Sequence, residues 1–402
     1  VIKVVTDRPD ALYRCGETAH FAFSASLDGQ PLTAGKFAWT LTLDGVKPLS
    51  QGEGEWGTEP AQLSGTLTEP GILRCTVIVR EGQPRPVVAL GGAAFEPEKI
   101  QPTVKEPEDF VKFWEENKAA VRAIPADIKL ERSDQHSTPT VNVYKLSLAN
   151  LNGTRVYAWL GVPVKEGKYP AVLAVPAAGY NPPGPGGVTW ANRGFIAATM
   201  FAHDYPLDLT AEKYDELKAG PLANYMHQGK ESRETYYFRR VFMGCTRLMD
   251  YLMARPEWDG QNLIVTGSSQ GGALSLVSAG LEPKVTAIAA NVPALCDHTG
   301  RAVGRQPGWP NLIPADKPEV ATVAAYYDAV NFARHARCKT LMGVGYIDTT
   351  CPPMGVYSAF NVLPEPKKMM AFPRMGHSVD PAYSQAAMAF IAALGQPAGD
   401  PK

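Results

Sequence analysis

The run Leu263-Ile-Val-Thr-Gly-Ser-Ser-Gln-Gly-Gly-Ala-Leu-Ser-Leu-Val-Ser-Ala-Gly280 decides the fold. A short β-branched stretch, Leu263 to Thr266, runs into Gly267-Ser268-Ser269-Gln270-Gly271. An Ala/Leu/Ser/Val segment with helical spacing follows at once. Strand, tight turn and helix in that order place Ser269 at the apex. Glycines are needed there because the backbone turns a strained corner while strand and helix pack closely behind it. The serine is lifted into the open above the helix N-terminus, and the N–H of Gln270 points at whatever the hydroxyl attacks. G-x-S-x-G alone is a weak signal in a chain with 37 glycines. Its setting between strand and helix favours a nucleophile over an idle serine in a glycine-rich turn.

A nucleophilic serine needs a base, and the base needs an orienter. With this elbow the chain order is serine, then acid, then histidine. Downstream, Thr340-Leu-Met-Gly-Val-Gly-Tyr-Ile-Asp348 and Met369-Met-Ala-Phe-Pro-Arg-Met-Gly-His377 are apolar strand-like runs, each ending in a candidate. A helix, Pro353 to Asn361, and one strand separate them. Asp348 and His377 are thus expected past the carboxyl ends of neighbouring strands, where open α/β sheets bind ligands. Asp297 and His298 also follow a predicted strand, Val285 to Asn291. His298 ranks below His377 because it comes too early in the chain for the last strand–helix junction. His335, inside a helix expected over 321–336, reads as a satisfied or exposed histidine.

These pieces, together with Gly179-Tyr180-Asn181, Tyr236-Tyr237-Phe238-Arg239-Arg240, Pro352-Pro353 and Gly376-His377, resemble carbohydrate esterase family seven. This is the acetyl xylan esterase and cephalosporin C deacetylase group of the α/β-hydrolases. The S-Q-G-G elbow and the Tyr-Tyr-x-Arg-Arg helix are the specific part, and the resemblance covers residues 100–395. Where the family often has His before the Gly-Tyr pair, this chain has Ala178. The resemblance implies a serine carboxylesterase that removes acetyl groups from sugar hydroxyls, with xylan-derived oligosaccharides as substrates and cephalosporin C as a further one. It implies Tyr180 N–H as the second oxyanion donor beside Gln270, no metal and no organic cofactor, and it leaves a homo-oligomer open. Gly179, having no Cβ, is expected to let the Tyr180 backbone approach the oxyanion.

Residues 1–97 read differently. Phe21, Phe23, Ala25 and Leu27 alternate, as do Phe37, Trp39, Leu41 and Leu43, and Leu73, Cys75, Val77 and Val79. This period-two pattern marks strands with one buried face, separated by turns at Asp28-Gly29, Asp44-Gly45 and Glu69-Pro70-Gly71. Such a series predicts a small all-β, immunoglobulin-like sandwich with no catalytic set. The aromatics read as core rather than as a sugar platform. A Cys15–Cys75 bridge is geometrically open, and two buried thiols are the stronger expectation.

Residues 98–402 are then an α/β-hydrolase domain. Expected elements are a helix from Glu106 to Ala123, strands at 141–148 and 155–162 around Asn152-Gly153, and strands Ala171–Val175 and Phe195–Met200. An irregular excursion over 203–235 follows, with Asp204, Asp208, His227 and Glu231. The remaining helices are expected over Tyr236–Ala254, where Arg239 and Arg240 anchor carboxylates on enclosing loops, and over Pro381–Leu394.

Composition bounds the reading. Hydrophobic content of 45% supports full cores, and a net charge of −1 gives no electrostatic case for nucleic acid or anionic membrane. No apolar run approaches the roughly 18 residues of a membrane span. Six cysteines without C-x-x-C spacing argue against a zinc or redox motif. The first residue is Val1, so a removed leader or a trimmed start is expected, and a sandwich ahead of the enzyme fits a secreted or periplasmic protein. Two other readings share these residues. An α/β-hydrolase peptidase has the same triad but would need a propeller-like repeat or an acidic pair to read a peptide amine. A non-catalytic carbohydrate-binding relative has the complete set of triad candidates against it.

Overall fold

In the computed structural model the described residues are 1–80 and 85–395. Residues 81–84, within the first expected unit, and 396–402, at the end of the second, lie outside them. The period-two pattern of the first ninety residues becomes two sheets. One holds Ile2–Thr6, Ala19–Leu27, Gln30–Pro31 and Ala61–Gly65; the other holds Leu12–Tyr13, Lys36–Leu43, Lys47–Glu55, Gly71–Val79 and Val87–Phe95. Phe21, Phe23, Phe37, Leu41, Trp56, Leu73, Cys75 and Val77 fill the space between them. Phe23 and Phe37 meet edge-on at 5.1 Å, so these aromatics are core.

The second sheet is not solvated on its outer face. From Gly71 to Cys75 every residue is buried, and Ile72 and Ala94 belong to the main core of the rest of the chain. Alternation alone reads such a strand as half-exposed; docking against the larger unit covers its other side. The six cysteines are free thiols, five buried and Cys15 half-buried, so the bridge between Cys15 and Cys75 is not formed.

The larger unit is organised by one nine-stranded sheet. In spatial order its strands are Lys129–Arg132, Val141–Ala149, Arg155–Pro163, Ile196–Phe201, Tyr169–Ala174, Trp258–Ser268, Val285–Asn291, Lys339–Gly345 and Lys367–Phe372. The first four pair antiparallel and the rest parallel. Leu263 and Val265 face one core and Ile264 the other, as a parallel strand covered on both faces requires. Helices Phe110–Ala123, Phe238–Ala254, Gln270–Leu281 and Pro353–Val362 contribute to the first layer and Pro381–Leu394 to the second. This is the expected α/β-hydrolase architecture.

Several boundaries shift for local reasons. The helix expected from Glu106 starts at Phe110, because Pro107 keeps Glu106 out of the helical region. The helix expected over 321–336 is two, Val320–Tyr327 and Ala329–Ala333, broken at Asp328. There the Asp328 carboxylate accepts from Val330 N and also from Asp297 N and His298 N, a better use of a buried acid than a helix interior. The excursion contains helix Ala211–Ala219, capped by Thr210. The edge strand Lys129–Arg132 is exposed along its whole length and so carried no alternation to detect.

Candidate active site

Ser269 ends the strand Trp258–Ser268 and caps the helix Gln270–Leu281 with φ 59° and ψ −119°. Holding a non-glycine residue there costs about 1–3 kcal/mol, and the neighbours show what stabilises it. A Cβ on Gly267 would lie 2.6 Å from the Gly271 backbone, one on Gly271 2.5 Å from the Val175 carbonyl oxygen, and one on Gly272 2.6 Å from the Asn291 carbonyl oxygen. The three glycines let three backbone segments meet behind the serine. Gly179 is different: nothing lies within 4 Å of its missing Cβ. The close approach expected at Gly179 is instead made at Gly271.

Ser269, His377 and Asp348 form one hydrogen-bonded chain. His377 Nε2 is 2.9 Å from Ser269 Oγ and Nδ1 is 2.8 Å from Asp348 Oδ2. A carboxylate only accepts, so Nδ1 carries the proton and the Nε2 lone pair faces the serine hydroxyl. Asp348 is fully buried. Its Oδ1 accepts from the N–H groups of Thr350 and Cys351 at 2.8 and 2.9 Å, which leaves Oδ2 for the imidazole. The His377 side chain is 30% exposed, so the site is open at its base. Asn291, which sequence reasoning passed over, ties the parts together: its carbonyl accepts from Ser269 N, and its Nδ2 donates to Ser268 Oγ and to Ser378 O.

Gln270, expected as a backbone donor, is also held through its side chain. Its buried side chain accepts from Tyr225 Oη at 2.7 Å and donates toward Pro176 O and Ala177 O. It thereby holds the loop that carries Tyr180. The peptide joining Gly179 to Tyr180 is fixed separately. His203, fully buried, sits with Nε2 2.7 Å from Gly179 O and Nδ1 2.5 Å from Tyr237 Oη. The carbonyl can only accept, so Nε2 bears the proton and Nδ1 accepts from Tyr237, whose oxygen accepts from Arg240. Burial lowers His203 to about 4 and raises Tyr237 to about 12, which keeps this neutral relay intact near pH 7. In a trans peptide the Tyr180 N–H then points away from His203. Arg239 and Arg240, expected on carboxylates, bind other groups: Arg239 donates to Asn117 Oδ1 and Glu234 O, and Arg240 to the Tyr237 phenol.

The alternative acid and base lie elsewhere. Asp297 pairs with Arg305 at 2.8 Å and accepts from Thr103 N, Val104 N and Ser358 Oγ, fastening the segment that follows the sandwich. His298 is buried, its Nε2 has no partner, and burial lowers it to about 4. His335 is bonded to Glu106. In the excursion, Asp204 accepts from Arg155 N and Asp208 binds Lys145. Among the described residues one cluster, Asp348, Cys351 and His377, brings potential metal ligands within 4.8 Å of one another. Two of these already bind each other, and burial pushes the Cys351 thiol up. No described helix is long and apolar enough to cross a membrane.

The family model for acetyl xylan esterase matches residues 96–307 and 311–394. An acetyl esterase of Xylanibacter ruminicola is 36% identical over 381 residues, covering 93% of this chain and 86% of its own. That match reaches well into the N-terminal strands. Among solved structures, acetyl xylan esterase 1 from Thermoanaerobacterium sp. JW/SL YS485 superposes with a TM-score of 0.64 at 24% identity, covering 74% of this chain and 98% of its own. The acetyl xylan esterase from Paenibacillus sp. R4 gives 0.65 at the same identity and coverage; both likenesses speak to the fold. The chain is therefore a member of the acetyl xylan esterase family, a carboxylic ester hydrolase on the α/β-hydrolase fold.

Proposed function

We propose that the protein removes acetyl groups from acetylated sugars, with xylan-derived oligosaccharides as the leading substrate class, through Ser269, His377 and Asp348. The observation that carries this is the continuous Ser269–His377–Asp348 hydrogen-bonded chain at a strained strand–helix corner. Ser269 Oγ attacks the acetyl carbonyl carbon and its proton passes to His377 Nε2. The oxyanion is met by Gln270 N–H, unpaired by its place in the first helical turn, and by Tyr180 N–H. The ester C–O bond then breaks, and the proton on Nε2 goes to the departing sugar oxygen. Water, deprotonated by the same nitrogen, attacks the acetyl-serine and releases acetate. Asp348 holds the imidazole tautomer and offsets its positive charge in both steps.

The Tyr180 ring packs near His203 and edge-on to Tyr225, which supports a short, walled acyl pocket. A net charge of −1 suits a neutral saccharide better than nucleic acid. An accessory β-sandwich beside such an esterase supports action outside the cytoplasm. The test is hydrolysis of acetylated xylo-oligosaccharides by wild type and Ser269→Ala, with acetate release and the deacetylated position read by mass and NMR. Loss of at least a thousandfold in Ser269→Ala is expected; activity within tenfold of wild type would remove the nucleophile assignment.

A further inference from the structure

The acid of the triad is held from the other unit. Arg74, on the sandwich strand Gly71–Val79, is 2% exposed. Its Nη2 donates to the carbonyl of Asp348 at 3.0 Å, and its Nη1 to Gln306 Oε1. Gln306 in turn donates from Nε2 to Thr349 O at 2.7 Å and from its backbone to Asp44 Oδ2 at 3.1 Å. Asp44, fully buried, lies 3.9 Å from Arg74. It sits at the Asp44-Gly45 turn, where both residues take positive φ. A Cβ at Gly45 would lie 2.5 Å from Arg74 Nη1. Gly92 approaches as closely: its Cβ would be 2.8 Å from the Tyr346 backbone, two residues before Asp348.

We infer that Arg74 is a positioning residue for Asp348, so the N-terminal sandwich takes part in orienting the triad. This rests on the triad reading above. Two successive carbonyls of the turn, those of Asp348 and Thr349, are held by Arg74 and Gln306, while the next two N–H groups close on Asp348 Oδ1. With both edges of the turn fixed, Oδ2 has one direction left, toward His377. Stability gives little reason for this arrangement. A buried ion pair often contributes nothing net. Here Asp44 Oδ1 and Arg74 Nε lack hydrogen-bond partners, and burial raises Asp44 to about 7 despite the cation beside it.

Two variants test the inference in the full-length chain. Arg74→Met combined with Asp44→Asn removes the clamp without stranding a charge, and Gln306→Ala removes the link to Thr349 at a half-buried position. Each is measured alone and with Asp348→Asn, with folding followed by circular dichroism and melting. We expect kcat to fall at least tenfold for the first and threefold for the second, with KM within twofold, because small misplacements of a catalytic group are costly. In the Asp348→Asn background the same changes should cost less than twofold, since the clamp acts through the acid. Folded variants with kcat within twofold of wild type, or losses that persist undiminished with Asp348→Asn, would overturn the inference. If the paired variant does not fold, Gln306→Ala decides by the same criteria. Asp348→Asn with near wild-type activity would instead remove the triad reading itself.

Discussion

Replacing Gly271 by alanine should damage the proposed oxyanion site through backbone displacement alone. The new methyl would sit 2.5 Å from Val175 O and 3.2 Å from Pro176 C and O. Ordinary C···O contacts begin near ~3.3 Å, so helix and loop must separate by about 0.8 Å. Val175 cannot give much, because its N–H is bonded to Thr266 O at 2.9 Å and the strand before it lies inside the sheet. The displacement falls on Pro176 onward, the loop that carries Tyr180, and on the helix start that carries Gln270. A misplacement of about 1 Å can cost 10²-fold. We therefore expect kcat/KM on 4-nitrophenyl acetate to fall roughly thirtyfold, about 2 kcal/mol of transition-state stabilisation, and overpacking to lower stability by ~1–3 kcal/mol. Fluorophosphonate titration would show that folded sites are being compared. Gly179→Ala, with open space around its Cβ, should stay within about twofold of wild type. A wild-type rate in Gly271→Ala together with a crippled Gly179→Ala would refute the assignment of the close approach to the elbow.

Tyr237→Phe leaves His203 Nδ1 without its donor; freeing the Gly179–Tyr180 peptide should lower kcat about tenfold with KM little changed, and an unchanged kcat would mean that the relay does not aim Tyr180. His298 is lowered from 6.5 to about 4 by burial, so between those pH values the unfolded chain binds more protons, and the stability this group supplies at pH 7 drains away as pH falls through that window. His298→Leu should shrink the loss of unfolding free energy between pH 7 and 4.5 by roughly 2 kcal/mol, and equal losses in urea titrations of both proteins would contradict it. Acyl length should matter: kcat/KM should drop at least tenfold from acetate to butyrate esters of one alcohol, a penalty of about 1.4 kcal/mol or more, and Tyr180→Ala should narrow that gap. A wild-type profile rising toward octanoate would indicate an open pocket.

The elbow, the candidates for the proposed triad and the sheet were legible in the chain because each is written locally. Leu263–Thr266 is apolar on both sides and must be a covered strand, and Gly267, Gly271 and Gly272 announce a corner no other residue can turn. Asp348 and His377 stand just past strand-like runs, so their convergence follows from strands lying parallel. Other features depend on what lies across a gap in sequence. Asp44 reads as an ordinary turn aspartate, and Arg74 falls among residues that alternation leaves half-exposed. Both are buried because their sheet docks on the loop after Gly345, a contact between residues far apart in the chain. His203, Tyr237 and Gly179 likewise meet only once the excursion folds back over the sheet. Local pattern fixes which face of an element is apolar, but which buried polar group finds which partner is settled by the packing of whole elements. That is why the serine, histidine and aspartate of the proposed triad could be picked out in the sequence, and the groups that hold them in place could not.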